Sequence, residues 1–172
     1  MTRYSALILG CALLTACATP VPEPQRHVYS LEVPGTALVL ELPSDGLKLE
    51  VADNNPPYYY FTNEKIQLSI SFSLERATKC SSSESCRDYF TNKFSTVGAG
   101  RKSWLLSRIG EVFVSENIEE SPGSGTRQQY MNAHFVKSGM WINVRLSKNN
   151  YTGSDRELFV KLVKSIQFWP KL

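Results

Sequence analysis

Residues 126–147 read Thr126-Arg127-Gln128-Gln129-Tyr130-Met131-Asn132-Ala133-His134-Phe135-Val136-Lys137-Ser138-Gly139-Met140-Trp141-Ile142-Asn143-Val144-Arg145-Leu146-Ser147. Ser138-Gly139 is the two-residue kind of turn that closes a β-hairpin. Pairing Lys137 with Met140 sets Phe135 opposite Ile142, Ala133 opposite Val144 and Met131 opposite Leu146, all on one side. The other side receives His134 opposite Asn143, Asn132 opposite Arg145 and Val136 opposite Trp141. A slip by one residue would turn the apolar set to solvent, so burial specifies the register.

A second stretch extends the same sheet. In residues 65–75, Ile66, Leu68, Ile70, Phe72 and Leu74 alternate with Lys65, Gln67, Ser69, Ser71, Ser73 and Glu75. Period-two alternation gives a strand with one face in the core and one polar face. Residues 36–42 and 47–51 read as short strands around the turn residues Pro43-Ser44-Asp45-Gly46. Pro56-Pro57 opens another at Tyr58-Tyr59-Tyr60-Phe61, and residues 111–118 give one more. Between them the period changes. Cys86, Tyr89, Phe90, Lys93, Phe94 and Val97 follow helical spacing over 84–96, after a serine run that offers N-caps. Gly98-Ala99-Gly100 stops that helix. Near the end, Ser154-Asp155-Arg156-Glu157 reads as a capping box. Leu158, Phe159, Leu162, Val163 and Ile166 form the apolar stripe of the helix that follows. Residues 165–169 turn back as a short strand. The expectation is an α+β single domain over 27–172, an antiparallel sheet of about six strands packed with helices as an α/β/α sandwich.

The N-terminus carries an address. Arg3 precedes an uncharged apolar run from Ala6 to Leu14, and Thr15-Ala16 lead into Cys17. This is the layout of a secretory signal, too short to span a bilayer. With cysteine at the cut, it resembles a bacterial lipoprotein signal, which implies cleavage after residue 16 and acylation of Cys17. Cys11 is a rival acceptor, but it leaves a shorter apolar region. Acyl chains, palmitate among them, would anchor the protein in a membrane. By resemblance to Gram-negative lipoproteins, Ala18 rather than aspartate after the cysteine implies the outer membrane, on its periplasmic side. Pro20, Pro22 and Pro24 make residues 17–26 a lipidated, semi-rigid tether.

Removal of residues 1–16 leaves 156 residues and, with Arg3 gone, 18 basic against 16 acidic side chains. Near-neutral charge without a long basic block gives little support to nucleic-acid binding, and no nucleic-acid partner is expected. Cys80 and Cys86 remain as two thiols in an oxidising compartment, and their spacing favours a structural disulfide. A redox pair is the alternative, but Cys-x5-Cys is not the spacing that tunes thiol reactivity. No cofactor or metal set is present: two cysteines and two distant histidines, His27 and His134, make a poor zinc site. Glu116, Glu119 and Glu120 could hold a cation, but a solvated acidic strand end is the simpler reading.

Strands, a middle helix, more antiparallel strands, a C-terminal amphipathic helix and a final Ser165-Ile166-Gln167-Phe168 resemble the Mog/PsbP-like (DcrB-like) family. The similarity is most evident over 160–168 and the preceding hairpin. Members include a binder of a small GTPase, a photosystem accessory subunit, envelope lipoproteins and chaperones for secreted toxins. The resemblance implies protein binding without catalysis and transfers no site residues.

No hydrolase elbow, zincin motif or calcium loop occurs in the sequence. A serine triad would have to use His134, with the serines of 65–75 as its neighbours. The most distinctive surface is the polar side of the sheet: Tyr130, Asn132, His134, Trp141, Asn143 and Arg145, with Ser69, Ser71 and Ser73 beside them. Tyr, Trp and Arg dominate interface hot spots. In a three-layer sandwich, however, a helix would cover part of this face, and both readings stand at this point. The first functional expectation is a non-catalytic, lipid-anchored periplasmic module that binds a protein, an immunity protein or an accessory of a toxin or secretion system. The second is a carrier holding an apolar ligand or lipid near Tyr58, Tyr60, Phe61 and Trp104.

Overall fold

In the computed structural model, which describes residues 27–95, 104–120 and 127–171, the apolar alternation becomes two antiparallel sheets. Residues 1–26, and with them Cys17 and the tether, lie outside the described residues, as do the helix stop at 98–100 and the loop at 121–125. The elements in chain order are β1 (Val28–Val33), β2 (Leu38–Pro43), β3 (Lys48–Asn54), β4 (Pro57–Asn63) and β5 (Leu68–Arg76). Next come α1 (Ser83–Phe94), β6 (Leu105–Ile109), β7 (Val112–Glu120), β8 (Arg127–Lys137), β9 (Met140–Asn149), α2 (Asp155–Ser165) and β10 (Gln167–Pro170). The main sheet runs β3-β4-β5-β9-β8-β7-β6, and β1-β2-β10 form a smaller one.

The hairpin of β8 and β9 has the register read from its pattern, with Phe135 opposite Ile142, Ala133 opposite Val144 and Met131 opposite Leu146. Its turn places Ser138 at φ 50° and Gly139 at φ 75°. Positive φ at both central residues suits the right-handed twist of paired strands. Strand β5 joins β9 with Phe72 opposite Val144 and Ile70 opposite Leu146, so the apolar face is continuous across the sheet.

That face is the core. Phe61, Ile70, Phe72, Val114, Met131, Ile142 and Leu146 are sealed against the small sheet, through Leu31, Val33, Leu40 and Leu42, and against Phe159, Leu162 and Val163 of α2. The opposite face receives α1. The layers are therefore small sheet with α2, main sheet, and α1. This is the expected α+β sandwich, with strands β1 and β6 and the second sheet as additions.

The two helix starts exchange roles. Ser154 does not cap α2; its hydroxyl pairs with Thr152 Oγ1 at 3.0 Å. The Asp155 carboxylate instead accepts from the Thr152 backbone N–H at 2.8 Å and its hydroxyl at 2.9 Å. Burial alone would push the Asp155 carboxyl up, but these bonds and Lys148 together outweigh it and hold the group below the ordinary carboxyl range. The reciprocal capping box belongs to α1, where the Ser85 N–H donates to Ser82 Oγ at 3.1 Å and the Ser82 N–H to Ser85 Oγ at 2.9 Å.

Candidate binding face

The strand registers bring the sequence-predicted polar residues together in rows across the sheet. One row is Tyr58, Ser73, Asn143, His134 and Phe113; the next is Tyr60, Ser71, Arg145, Asn132 and Ser115. A third holds Thr62, Ser69, Ser147, Tyr130 and Asn117. Ser69, Ser71 and Ser73 are thus coplanar with the hairpin's polar side, as the alternation implies.

Helix α1 covers only part of this face. The Cys80–Cys86 disulfide closes its N-terminal turn, with Cα atoms 4.9 Å apart. Ser83 Oγ accepts the Val136 backbone N–H at 3.0 Å, beyond the point where β7 stops pairing with β8. Beneath the helix, Phe90 packs on Trp104 and His134 with ring centroids 5.6 and 5.2 Å away. Tyr89 meets Trp141 edge-on at 6.0 Å. The Arg87 guanidinium lies 5.1 Å from the Phe113 ring.

Three of the six candidate residues are consequently interior. His134, Asn132 and Trp141 are 0%, 1% and 5% exposed, so they belong to the helix–sheet packing and cannot meet a partner. Arg145 is exposed, and Tyr130 and Asn143 are half-buried. The covered and the open reading each hold for one half of the face, because a single twelve-residue helix cannot span seven strands.

His134 shows what sealing does to its chemistry. The Trp141 indole N–H, which can only donate, points at Nδ1 from 3.3 Å. Nδ1 is therefore the acceptor, the ring proton sits on Nε2, and Nε2 donates to Ser115 Oγ at 3.3 Å. Burial, then the charge of Arg87, lowers its pKa to about 3. Because Nε2 already carries the ring proton, it cannot accept one from Ser115, so in this arrangement the pair is no nucleophile–base couple. The serine beside it is Ser115, not one from β5.

Glu116 and Glu119 face opposite sides of the sheet, opposite Met131 and Gln128 respectively. Glu116 is 3% exposed rather than solvated. It accepts from Arg156 Nε and Nη2 at 3.1 and 2.8 Å, from Gln129 at 3.1 Å and from Ser107 at 3.3 Å. Glu119 accepts from Asn117 at 3.0 Å. Among the described residues no group of three His, Cys, Asp or Glu side chains could hold a metal ion.

The aromatic group proposed for an apolar carrier is dispersed. Phe61 is inside the core against Tyr29, Tyr58 and Tyr60 lie on the other face, and Trp104 packs under α1. Sheet and helix geometry leave no common chamber for these four side chains.

The open half carries a different chemistry. The Arg145 guanidinium lies 4.2 Å from the Tyr130 ring centroid, and the Tyr130 hydroxyl donates to Gln128 Oε1. A cation over an aromatic face gains ~0.5–1 kcal/mol when exposed, which orders the exposed guanidinium. Alongside, a cleft of about 390 Å³ is lined by Tyr60, Thr62, Ser69, Gln128, Ser147 and Asn149. Ser69 and Ser147 bond each other across it at 2.7 Å. Among the described residues no helix is long and apolar enough to cross a membrane.

Among solved structures, the chain superimposes on the Saccharomyces cerevisiae Ran-binding protein Mog1p with a TM-score of 0.55 and 11% identity, covering 83% of this chain and 95% of that one. This is the Mog1 fold. A point mutant of Mog1 shares it, with a TM-score of 0.54 and 12% identity over 82% and 95% of the two chains. So does a Bacteroides thetaiotaomicron protein, with a TM-score of 0.53 and 13% identity over 80% of this chain and 47% of that one. No protein-family model and no curated protein sequence matches the chain. At such identities the Mog1 fold carries topology and not side-chain roles.

Proposed function

We propose that the protein is a non-catalytic, lipid-anchored protein-binding module of the bacterial envelope. Its docking surface is the open half of the polar sheet face. The observation that carries this reading is the contrast between the two halves. One is sealed by a disulfide-braced helix, while the other presents Tyr58, Tyr60, Tyr130 and the stacked Arg145 to solvent. Tyrosine and arginine offer large contact area and directional donors with little rotamer freedom left to lose, which is why they dominate interface energetics. The yeast protein of the same fold is itself named for binding a protein, which supports the class of function and says nothing of the partner here. The signal-like N-terminus supports anchoring through Cys17 at the periplasmic side of the outer membrane. An immunity or accessory role toward a toxin or secretion component fits that address.

The test is capture from envelope extracts with the wild-type protein and with Arg145→Glu and Tyr130→Ala. A stoichiometric partner retained by wild type and lost by both variants, with unchanged thermal stability, is the expected result. Equal capture by all three would refute the docking face. Trp141→Ala is unsuitable, because that side chain supports α1.

A further inference from the structure

Where α2 begins, a cavity of about 450 Å³ opens at the β6 edge of the main sheet. It is lined on the core face by Glu116, Ile118 and Gln129 and, round the edge, by Asn117 and by Trp104, whose buried indole N–H lacks a partner. Its floor is the Glu116 carboxylate, whose four hydrogen bonds fix its neighbours. The Gln129 amide nitrogen donates to Glu116, and a carboxylate only accepts, so Oε1 of Gln129 must point away from it. Gln129 is 3% exposed, and this Oε1 has no hydrogen-bond partner. Arg156 spends Nε and Nη2 on Glu116 and keeps Nη1 uncommitted, with 41% of its side chain exposed. Tyr151 lines the same cavity; burial and then the Glu116 charge raise its hydroxyl above the ordinary tyrosine range, against a hydrogen bond with Gln129 that lowers it. The outer wall is apolar: Leu105 and Ile118 are 62% and 46% exposed.

We infer that this cavity binds a small apolar amide, or an amide group of a peptide, through the buried Gln129 acceptor and the Arg156 donor, with the apolar substituent on Leu105 and Ile118. An amide brings one N–H donor and one carbonyl acceptor on a planar unit, matching what the site offers. A carboxylate has no proton for Gln129 and meets the charge of Glu116. An ammonium is opposed by Arg156. A buried acceptor left without a donor costs free energy that a fitting ligand recovers, which is the basis for discriminating among these groups.

The probes are hexanamide, hexanoate and hexylammonium, titrated into the full-length protein while recording the Gln129 side-chain amide and the Leu105 and Ile118 methyl resonances. Hexanamide should shift all three saturably and bind about tenfold tighter than either ion, as one well-placed hydrogen bond implies. Leu105→Asp, at an exposed position that leaves the core intact, should weaken hexanamide by a similar factor. Absence of a saturable shift at Gln129, equal affinity for the three probes, or an unaltered response in Leu105→Asp would each overturn the assignment.

Discussion

His134 is held between an indole N–H and a serine hydroxyl, and its proton stays on the nitrogen facing the serine. The consequence is an acid sensitivity with a defined window. The unfolded chain takes up a proton on this ring as pH falls through about 6.5, whereas the folded protein resists until about 3. The unfolded state thus binds more protons between those values, and stability falls as pH falls through that window. The slope is at most about 1.4 kcal/mol per pH unit. Urea unfolding of wild type and His134→Gln at pH 7, 6 and 5 should show a decline for wild type and a flatter profile for the variant, above the ordinary carboxyl range. Sequence alone placed His134 on the polar side of its strand correctly. Which polar side chain would meet it was not legible, because Ser115 comes from a neighbouring strand whose register has no turn to count from. For the same reason Glu116 read as solvated, although its partner Arg156 is forty positions away.

At the scale of elements, α1 decides how much of the sheet face a partner can reach. Its attachments are the disulfide at its N-terminus, the bond from the Val136 N–H to Ser83, and the packing of Tyr89 and Phe90 on Trp141 and His134. Replacing Cys80 and Cys86 together by serine should cost about 2 kcal/mol on the chain-entropy account of so short a loop. Hydrogen exchange should localise the added opening to residues 80–94 and leave β5 and β9 protected; uniform loss of protection would show that the bond braces the whole fold instead. The hairpin was readable because its turn and its apolar set agree. Strand β1 escaped the reading although Tyr29, Leu31 and Val33 alternate with polar neighbours, since three positions are a weak signal beside a proline-rich spacer. Strand β6 offered none: Leu105 and Leu106 are adjacent, both exposed, and have no period. The extent of α1 coverage depends on where the helix lands, which no local pattern encodes.

In the whole molecule, the proposed lipid anchor at Cys17 would hold a Mog1-type body with one open aromatic face at the membrane. Cys17→Ala should move the protein from the membrane fraction to the soluble periplasmic fraction without altering the thermal unfolding of the body; continued membrane retention would remove the lipid anchor. The most direct test of the docking face is site-specific photo-crosslinking in the cells that make the protein. Benzoylphenylalanine placed at Tyr60 or Tyr130 should give one discrete adduct of the same size. Placed at Trp169, exposed on the small sheet on the far side of the molecule, it should give none. Adducts at Trp169 equal to those at Tyr60 and Tyr130, or no adduct at either tyrosine, would contradict a partner seated on the open half of the sheet.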